Sequence, residues 1–448
     1  MTTDKPSSEG GWHPDRQAVV IIHGIGEQRP MQTLRGFADA VLGVLRNRRS
    51  RFYNKPDMLS DTFELRKLVS HRGNPRADLF ELYWAHRMPI ATWSRIAAWF
   101  QTLMLRPRAD LEPQIRPIWW MCWTLAPIAV LLLLAGAVFW ICPGLAPSWW
   151  PSGGQTPLPL LLGIALLGVQ GVVLSYVGDA AIYLSAHPRT VAARQEIRAA
   201  GVALLEKLHA GGEYGRIVLV GHSLGSVIGY DLITQLWQRY NERHAAPAQP
   251  DQTALHALEA AIAGEEAMDT AQWHAAIHRL WHEQRKLGNP WLITDFVTLG
   301  SPLTHGKLLL ADKEATFRRK QDERELPISP PMPERKREIS YEVHYTTAAG
   351  APQTLYMLHH AAPFAVVRWT NLYFPCRGVF TGDVVGGPVA PGFGPAVRDV
   401  PVATRIWGGL LAHTHYWTRD PRDKGQSGEP VPALREALGL WTTGGDED

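Results

Sequence analysis

Short apolar runs alternate with helical patterns along the chain. Runs rich in Val, Ile and Leu are typical of strands that are covered on both faces of a parallel sheet. The runs that predict strands are 17–22, 62–69, 78–84, 216–220 and 291–299. The segments with helical periodicity are 31–46, 190–208 and 226–237. This alternation predicts a mixed α/β architecture with a mostly parallel sheet flanked by helices.

One long segment departs from this alternation. From Pro117 to Gly178 the chain contains no Asp, Glu, Lys or Arg. Two apolar stretches within it, 118–141 and 157–177, are each close to the roughly twenty residues that cross a bilayer. The Pro-, Gly- and Ser-rich segment 142–156 between them predicts a short turn outside the membrane. Two buried helices of a soluble core are the alternative, but such helices rarely lack a charged face over this length.

Tryptophans and basic residues give the predicted hairpin an orientation. The tryptophans near the ends of the stretches, as expected at membrane interfaces, are Trp119, Trp120, Trp123, Trp140, Trp149 and Trp150. The flanking basic residues are Arg95, Arg106, Arg108, Arg116, Arg189, Arg194 and Arg198. The connecting segment has no basic residue, so both termini and the rest of the chain are expected to be cytoplasmic. The sequence thus predicts a multi-pass membrane protein whose partner is the lipid bilayer.

Two segments outside the hairpin have features that also suit a membrane surface. The aromatic stretch 88–105 fits either an interfacial helix or an ordinary packed helix. The basic run 46–51 fits either a solvated face or attraction to anionic headgroups. We therefore assign 88–184 as a membrane insertion and leave the role of both segments open.

Composition narrows the class of protein further. With 448 residues, 46% of them hydrophobic, the chain can bury a substantial core. A formal charge of +3 is small for this length and gives no case for nucleic acid as a partner. The cysteines Cys122, Cys142 and Cys376 match neither a disulfide framework nor a zinc spacing, which favours a reducing compartment. Residues 1–16 lack the apolar core of a signal peptide and are expected to be a disordered lead.

The motif Gly-His-Ser-Leu-Gly at 221–225 lies between a predicted strand and a predicted helix. A sharp turn there needs small residues, because side chains would collide with the neighbouring backbone. Gly221, Gly225 and Ser226 meet that need. The turn would expose the Ser223 hydroxyl above a helix N-terminus, which favours developing negative charge. The pattern predicts a nucleophile elbow.

A second glycine motif, His23-Gly-Ile-Gly26, follows the first predicted strand. Gly24 and Gly26 allow a tight turn, so that amide groups near Ile25 face a cavity at the end of the strand. A turn without a catalytic role is the alternative. The pairing with Ser223 favours an oxyanion site, because acyl transfer needs amide donors from both loops.

These motifs resemble those of the α/β-hydrolase superfamily, in its lipase and esterase-like serine hydrolases. The segment Thr-Leu-Gly-Ser-Pro at 298–302 extends the likeness, since it resembles the strand that follows the elbow. The resemblance implies that the amides of Ile25 and Leu224 hold the oxyanion. It also gives the candidates for the substrate pocket, which are His23, Gly24, Gly26, His222 and Ser301. Of these, His23 and His222 are expected to be structural and Ser301 to be a turn residue.

The order of the resembled family, serine, acid, histidine, suggests the other two catalytic groups. Asp383 lies in a glycine-bounded loop at the right place in that order, although an aspartate that caps its own turn is the alternative. His413, followed by Tyr416 and Trp417, fits the family pattern, and His415 is the alternative base. No Cys or carboxylate cluster accompanies the two histidines, so neither a metal nor a cofactor is expected.

The remaining segments complete the domain assignment. A discontinuous catalytic domain comprises 17–87 and 185–448. The amphipathic segment 241–288 predicts a helical insertion that is either a lid over the site or an external helical pair. The charged, proline-containing segment 307–337 is predicted to be either a surface loop or partly disordered.

The resemblance implies that Ser223 attacks an ester carbonyl, that His413 transfers the proton and that Asp383 supports the imidazole. A site held beside a bilayer favours a lipid or acyl-lipid substrate, although thioesters, small esters and amides suit the same groups. The alternatives are an acyltransferase and a non-catalytic membrane scaffold or lipid-binding protein that retains the fold. The intact serine, aspartate and histidine argue against a scaffold. No pattern favours a particular oligomeric state.

Overall fold

The structure is a computed structural model that describes most of the chain outside the predicted insertion at 88–184. The described residues are 16–24, 29–43, 52–56, 66–70, 76–87, 107, 116–145, 161–164, 183, 188–264, 268–311, 313–333, 338–376, 382–383, 385–403, 409–418 and 429–440. Residues 1–15 of the predicted lead, the run 46–51 and the stretch 88–105 lie outside the described residues.

Strands form close to the five predicted positions, and further strands that were not predicted occur at 52–56 and in the second half of the chain. The strands are β1 (Arg16–Ile22), β2 (Phe52–Pro56), β3 (Arg66–Ser70), β4 (Arg76–Leu82), β5 (Arg216–His222), β6 (Ile293–Leu299), β7 (Ser340–Thr346), β8 (Pro352–Leu358), β9 (Arg368–Tyr373) and β10 (Arg398–Pro401). The helices are α1 (Gln32–Leu42), α2 (Arg116–Ile141), α3 (Pro188–Ala210), α4 (Leu224–Trp237), α5 (Thr253–Ile262), α6 (Thr270–Lys286), α7 (Gly306–Leu309), α8 (Glu314–Asp322), α9 (Ala390–Phe393) and α10 (Pro430–Ala437).

Within the described part of the chain, eight strands form one sheet in the order β10-β9-β6-β5-β1-β4-β3-β2. The strands from β10 to β4 are all parallel to their neighbours. β3 is antiparallel to both β4 and β2. β7 and β8 form a separate antiparallel hairpin. The fold is therefore mixed α/β with a mostly parallel central sheet, as the alternating pattern predicts.

Alternate residues of the central strands point to opposite faces of the sheet, and both faces are covered. Val19 and Ile21 of β1 pack with residues of α1 and α10 on one face. Val20 and Ile22 pack with residues of α3, α4, α5 and α6 on the other. Burial on both faces explains why these strands are almost wholly apolar.

The connections after β1 and β5 leave the sheet on opposite faces. The chain leaves β1 towards α1 on one face, whereas it leaves the adjacent, parallel β5 directly into α4 on the other face. Loops that diverge in this way leave a crevice at the carboxyl ends of the strands, where ligands bind in open α/β sheets. Gly24 and Ser223 follow β1 and β5 at this edge and lie close together, since a Cβ on Gly24 would be 2.9 Å from Cβ of Ser223.

The insertion predicted at 241–288 forms α5 and α6 in the helical layer. Residues Leu258, Ile277 and Leu280 are fully buried in the core that this layer shares with the sheet. The Glu283 carboxylate accepts hydrogen bonds from the first amides of α5, those of Ala254 and Leu255. The helices thus connect β5 to β6 as part of the layer, and a role as a lid stays a prediction.

The prediction of a loop over 307–337 is wrong for its first half, which contains α8. Phe317 and Gln321, four positions apart, are buried on one face of that helix. The Tyr230 hydroxyl donates to the carbonyl of Pro327, 2.8 Å away, and so holds the segment that follows. The opposite face of α8 is exposed and charged. The many charged residues therefore hid the helical spacing of the two buried ones, Phe317 and Gln321.

Helix α2 differs from the other described helices in its surface. Among the described residues it alone is long and apolar enough to cross a membrane, and only 11% of its segment Trp123–Ile141 is buried. Its exposed large side chains include Trp120, Trp123, Ile128, Val130, Leu131, Leu134, Val138, Trp140 and Ile141. Of the second predicted span only 161–164 is described, and it is helical.

Candidate active site

Ser223 occupies a backbone conformation that side chains rarely adopt. Its φ is 51° and its ψ is −126° at the junction of β5 and α4. The Ser223 amide donates to the carbonyl of Leu299, 2.9 Å away, which ties the turn to β6. A Cβ on Gly225 would overlap the carbonyl of Ile22, and one on Gly221 would lie 2.5 Å from Cα of Ser226. The small residues of the motif are therefore required by close contacts between backbones.

Two further serines lie beneath this turn. The Ser226 hydroxyl donates to the Ser223 carbonyl, and its oxygen lies 2.8 Å from Oγ of Ser301. Ser301 also accepts the amide of Leu303 and so caps the short 3-10 helix Pro302–His305. Ser301 is fully buried. It is a turn residue, and its contacts are with the elbow and its own turn.

Asp383 and His413 form a buried pair at the same edge of the sheet. Nδ1 of His413 lies 2.8 Å from Oδ2 of Asp383, and Oδ1 accepts the amide of Val385 at 2.8 Å. Burial alone would raise the pKa of Asp383. The His413 ring and the hydrogen bonds to the carboxylate outweigh burial and lower this pKa to about 2. The carboxylate is therefore ionised at neutral pH and fixes the orientation of the imidazole.

The two candidate histidines differ in what they contact. His413 lies in the 3-10 helix Gly409–Thr414 and is 2% exposed. His415 is partly exposed, and its Nδ1 lies 3.4 Å from the hydroxyl of the adjacent Thr414. The geometry thus favours His413 as the base.

His222 joins the elbow to the histidine segment. Its Nε2 lies 2.8 Å from the His413 carbonyl, and the two ring centroids are 5.0 Å apart. A Cβ on Gly24 would lie 2.9 Å from Cβ of Ser223 and 3.0 Å from Nδ1 of His222. Burial, with the nearby His413, lowers the pKa of His222 to about 3 and keeps it neutral. Ser223, His413 and the first glycine loop therefore converge around His222.

His23 anchors the start of the predicted oxyanion loop. Its Nδ1 lies 2.7 Å from the Gly24 carbonyl, and its Nε2 accepts the amide of Trp84 at 3.3 Å. The His23 and Trp84 rings are stacked with centroids 5.1 Å apart. Burial lowers the pKa of His23 to about 4, so the ring is neutral. Ile25 and Gly26 lie outside the described residues.

A buried carboxylate holds the far end of the same loop. Oε2 of Glu81 accepts the amide of Met31 at 2.8 Å, where Met31 has a φ of 70° just before α1. Burial raises the pKa of Glu81 to about 7. The described ends of the loop are therefore both fixed to the segment that ends β4.

The loop that contains Asp383 is held in place by residues to which the sequence assigned no role. The Asn371 side chain donates to the Gly387 carbonyl at 2.9 Å and to the Asp399 carboxylate at 2.7 Å. Asp399 also accepts the amides of Val389 and Ala390. Asn371 lies in β9, and only the fold brings its side chain to this loop.

Tyr416 entered the sequence analysis only as a residue that follows His413 in the family pattern. Its hydroxyl donates to Oδ2 of Asp383 at 2.8 Å. Its ring is fully buried against that of Phe374. Asp383 therefore has two hydrogen-bond partners in the segment 409–418, His413 and Tyr416.

Chemically, the site combines a serine in a strained turn with an imidazole oriented by an ionised carboxylate. With Nδ1 directed to Asp383, Nε2 of His413 is the ring atom suited to exchange a proton. Across the described ranges, no group of three or more His, Cys, Asp or Glu residues is placed to hold a metal ion.

No family model, no curated protein and no solved structure matches this chain.

Replacing Gly300 by alanine is expected to separate Asp383 from His413. Gly300 has a φ of +57°, and a Cβ there would lie 2.7 Å from Oδ2 of Asp383 and 3.0 Å from Nδ1 of His413. Leaving the buried Asp383 carboxylate without one of its hydrogen-bond donors costs about 1.5–3 kcal/mol, which adds to the backbone strain of a side chain at this φ. We expect a loss of unfolding free energy of at least this size, measured by chemical denaturation of the protein.

Gly350→Ala is the matched control for backbone strain. Gly350 has a φ of +81°, and a Cβ there would meet nothing within 4 Å. The strain alone costs about 1–2 kcal/mol. Equal losses for the two variants would contradict the predicted collision at Gly300.

Proposed function

We propose that this chain is a membrane-anchored serine hydrolase that cleaves ester bonds through an acyl-enzyme intermediate. The observation that carries the proposal is the convergence of three features at one edge of the sheet: the strained turn at Ser223, the buried His413–Asp383 pair and the first glycine loop. A binding role has no need of this combination. The parallel sheet with helices on both faces is compatible with an α/β-hydrolase fold.

In the proposed reaction Ser223 Oγ attacks the ester carbonyl carbon while Nε2 of His413 takes the hydroxyl proton. Asp383 stabilises the imidazolium. The oxyanion is held by the amides of Leu224, the first residue of α4, and Ile25. His413 then returns the proton to the leaving alcohol. Water, activated by the same imidazole, hydrolyses the acyl-enzyme and frees Ser223.

A fluorophosphonate probe tests the activated serine directly. Wild-type protein in detergent is expected to be labelled, and Ser223→Ala to be unlabelled. His413→Ala should slow labelling by more than a hundredfold, since general base catalysis contributes roughly 10²–10⁴-fold. His415→Ala is the matched control and should label at the wild-type rate. Folded wild-type protein that never labels would favour a scaffold. Loss of labelling in His415→Ala, but not in His413→Ala, would identify His415 as the base.

Anchoring in the bilayer is supported by the surface and the packing of α2. Most of the large apolar side chains of this helix are exposed, and only 11% of its segment Trp123–Ile141 is buried. The described segment 161–164 packs on α2 at Gly163, where a Cβ would lie 2.8 Å from Cγ of Leu133 and 3.0 Å from the carbonyl of Ala129. Close approach at small residues is typical of helix pairs in membranes. This packing supports the predicted hairpin.

Cys142 offers a test of the topology. It is an exposed thiol at the end of α2, and Cys376 is a partly buried thiol in the catalytic domain. We expect a membrane-impermeant maleimide, added to right-side-out vesicles, to label a variant that retains only Cys142. A variant that retains only Cys376 should be labelled only after the membrane is opened with detergent. Equal labelling of both variants in sealed vesicles would contradict the hairpin.

The proposed substrate is a lipid or acyl-lipid ester, because tethering the site to a bilayer raises the effective concentration of lipid. We expect the wild-type protein to release fatty acid from phospholipid or lipoprotein in vesicles, and Ser223→Ala to release none. Hydrolysis of soluble short-chain esters alone would contradict the lipid preference. Transfer of the acyl group to an added alcohol, without release of fatty acid, would favour an acyltransferase.

A further inference from the structure

The Tyr416 hydroxyl has two partners, and together they fix the direction of its proton. The amide of Phe374 donates to the tyrosine oxygen at 3.3 Å. The hydroxyl in turn lies 2.8 Å from Oδ2 of Asp383. An ionised carboxylate only accepts hydrogen bonds, so the tyrosine must be the donor.

The same carboxylate oxygen serves both Tyr416 and His413. Nδ1 of His413 lies 2.8 Å from Oδ2, while Oδ1 is occupied by the amide of Val385. Three donors in a buried place leave the carboxylate little freedom to rotate. A donor that shares Oδ2 also withdraws negative charge from the oxygen that faces the imidazole.

We propose that Tyr416 is a positioning residue that holds the Asp383 carboxylate for His413 and moderates the charge that the imidazole experiences. The role rests on the proposed function. It differs from simple packing, because phenylalanine would fill the same space against Phe374 but would donate nothing. Burial and the Asp383 charge raise the pKa of Tyr416 well above its usual value, so the proton stays on the hydroxyl.

Tyr416→Phe tests this role through the rate and the pH profile of fluorophosphonate labelling. A hydrogen bond to a charged group corresponds to roughly 10- to 100-fold in rate, and we expect a loss in that range. Without the tyrosine donor, Oδ2 presents more negative charge to His413 and favours the imidazolium. The acidic limb of the profile should therefore move to higher pH, which a purely structural role would not cause.

Tyr214→Phe is the matched control. The Tyr214 hydroxyl also donates to a fully buried carboxylate, Oδ2 of Asp78, at 2.8 Å. This pair lies at the opposite end of the strands, just before β5. We expect a similar loss of thermal stability in both variants, but wild-type labelling and an unmoved acidic limb in Tyr214→Phe.

A double-mutant cycle separates the remaining outcomes. In an Asp383→Asn background the effect of Tyr416→Phe on labelling should largely vanish, because the two side chains act as one unit. Two results would overturn this inference but leave the proposed function standing, provided that the wild-type protein labels. They are additive effects of the two substitutions, and an acidic limb of the pH profile that does not move in Tyr416→Phe. Wild-type protein that does not label would overturn the proposed function, and the role of Tyr416 with it.

Discussion

Burial of an ionised carboxylate is the constraint on which the arrangement of the candidate site depends. An unpaired charge in such a place costs several kcal/mol, so Asp383 needs donors from all sides. They come from its own loop at Val385 and from the later segment at His413 and Tyr416. The loop after β9 and the 3-10 turn before α10 are therefore held together by one charge. Displacing either segment leaves that charge without its partners.

Steric limits decide how closely the loops approach. Gly24 lies against the side chain of Ser223, Gly225 against the carbonyl of Ile22, and Gly386 against Gly300. The loops that follow β1, β5, β6 and β9 thus meet backbone to backbone. Contact of this kind leaves the groups of the site little room to rearrange. Under the proposed function, such preorganisation is what electrostatic stabilisation of a transition state requires.

Local patterns predicted the strands β1, β3, β4, β5 and β6, the turn at Ser223 and the apolar helix α2, because each depends on neighbours in sequence. Contacts between residues far apart in the chain could not be predicted from local patterns. Only the fold places His413, and not His415, against Asp383, and only the fold turns Tyr416 towards a carboxylate 33 positions earlier. The helix α8 was missed because two buried positions, Phe317 and Gln321, carry little weight among many charges.

Tyr183, near the end of the predicted membrane insertion, is tied to the helix that begins after Ser223. Tyr183 is fully buried, and its hydroxyl lies 3.1 Å from Oδ2 of Asp231 in α4. Arg198 of α3 donates to the same carboxylate oxygen, and Arg194 donates to the Tyr183 carbonyl. These charged hydrogen bonds lie in a largely buried site, where screening is weak. If the proposed function and the predicted membrane insertion hold, the insertion is thus connected through Tyr183 to the helix α4 that begins beside Ser223.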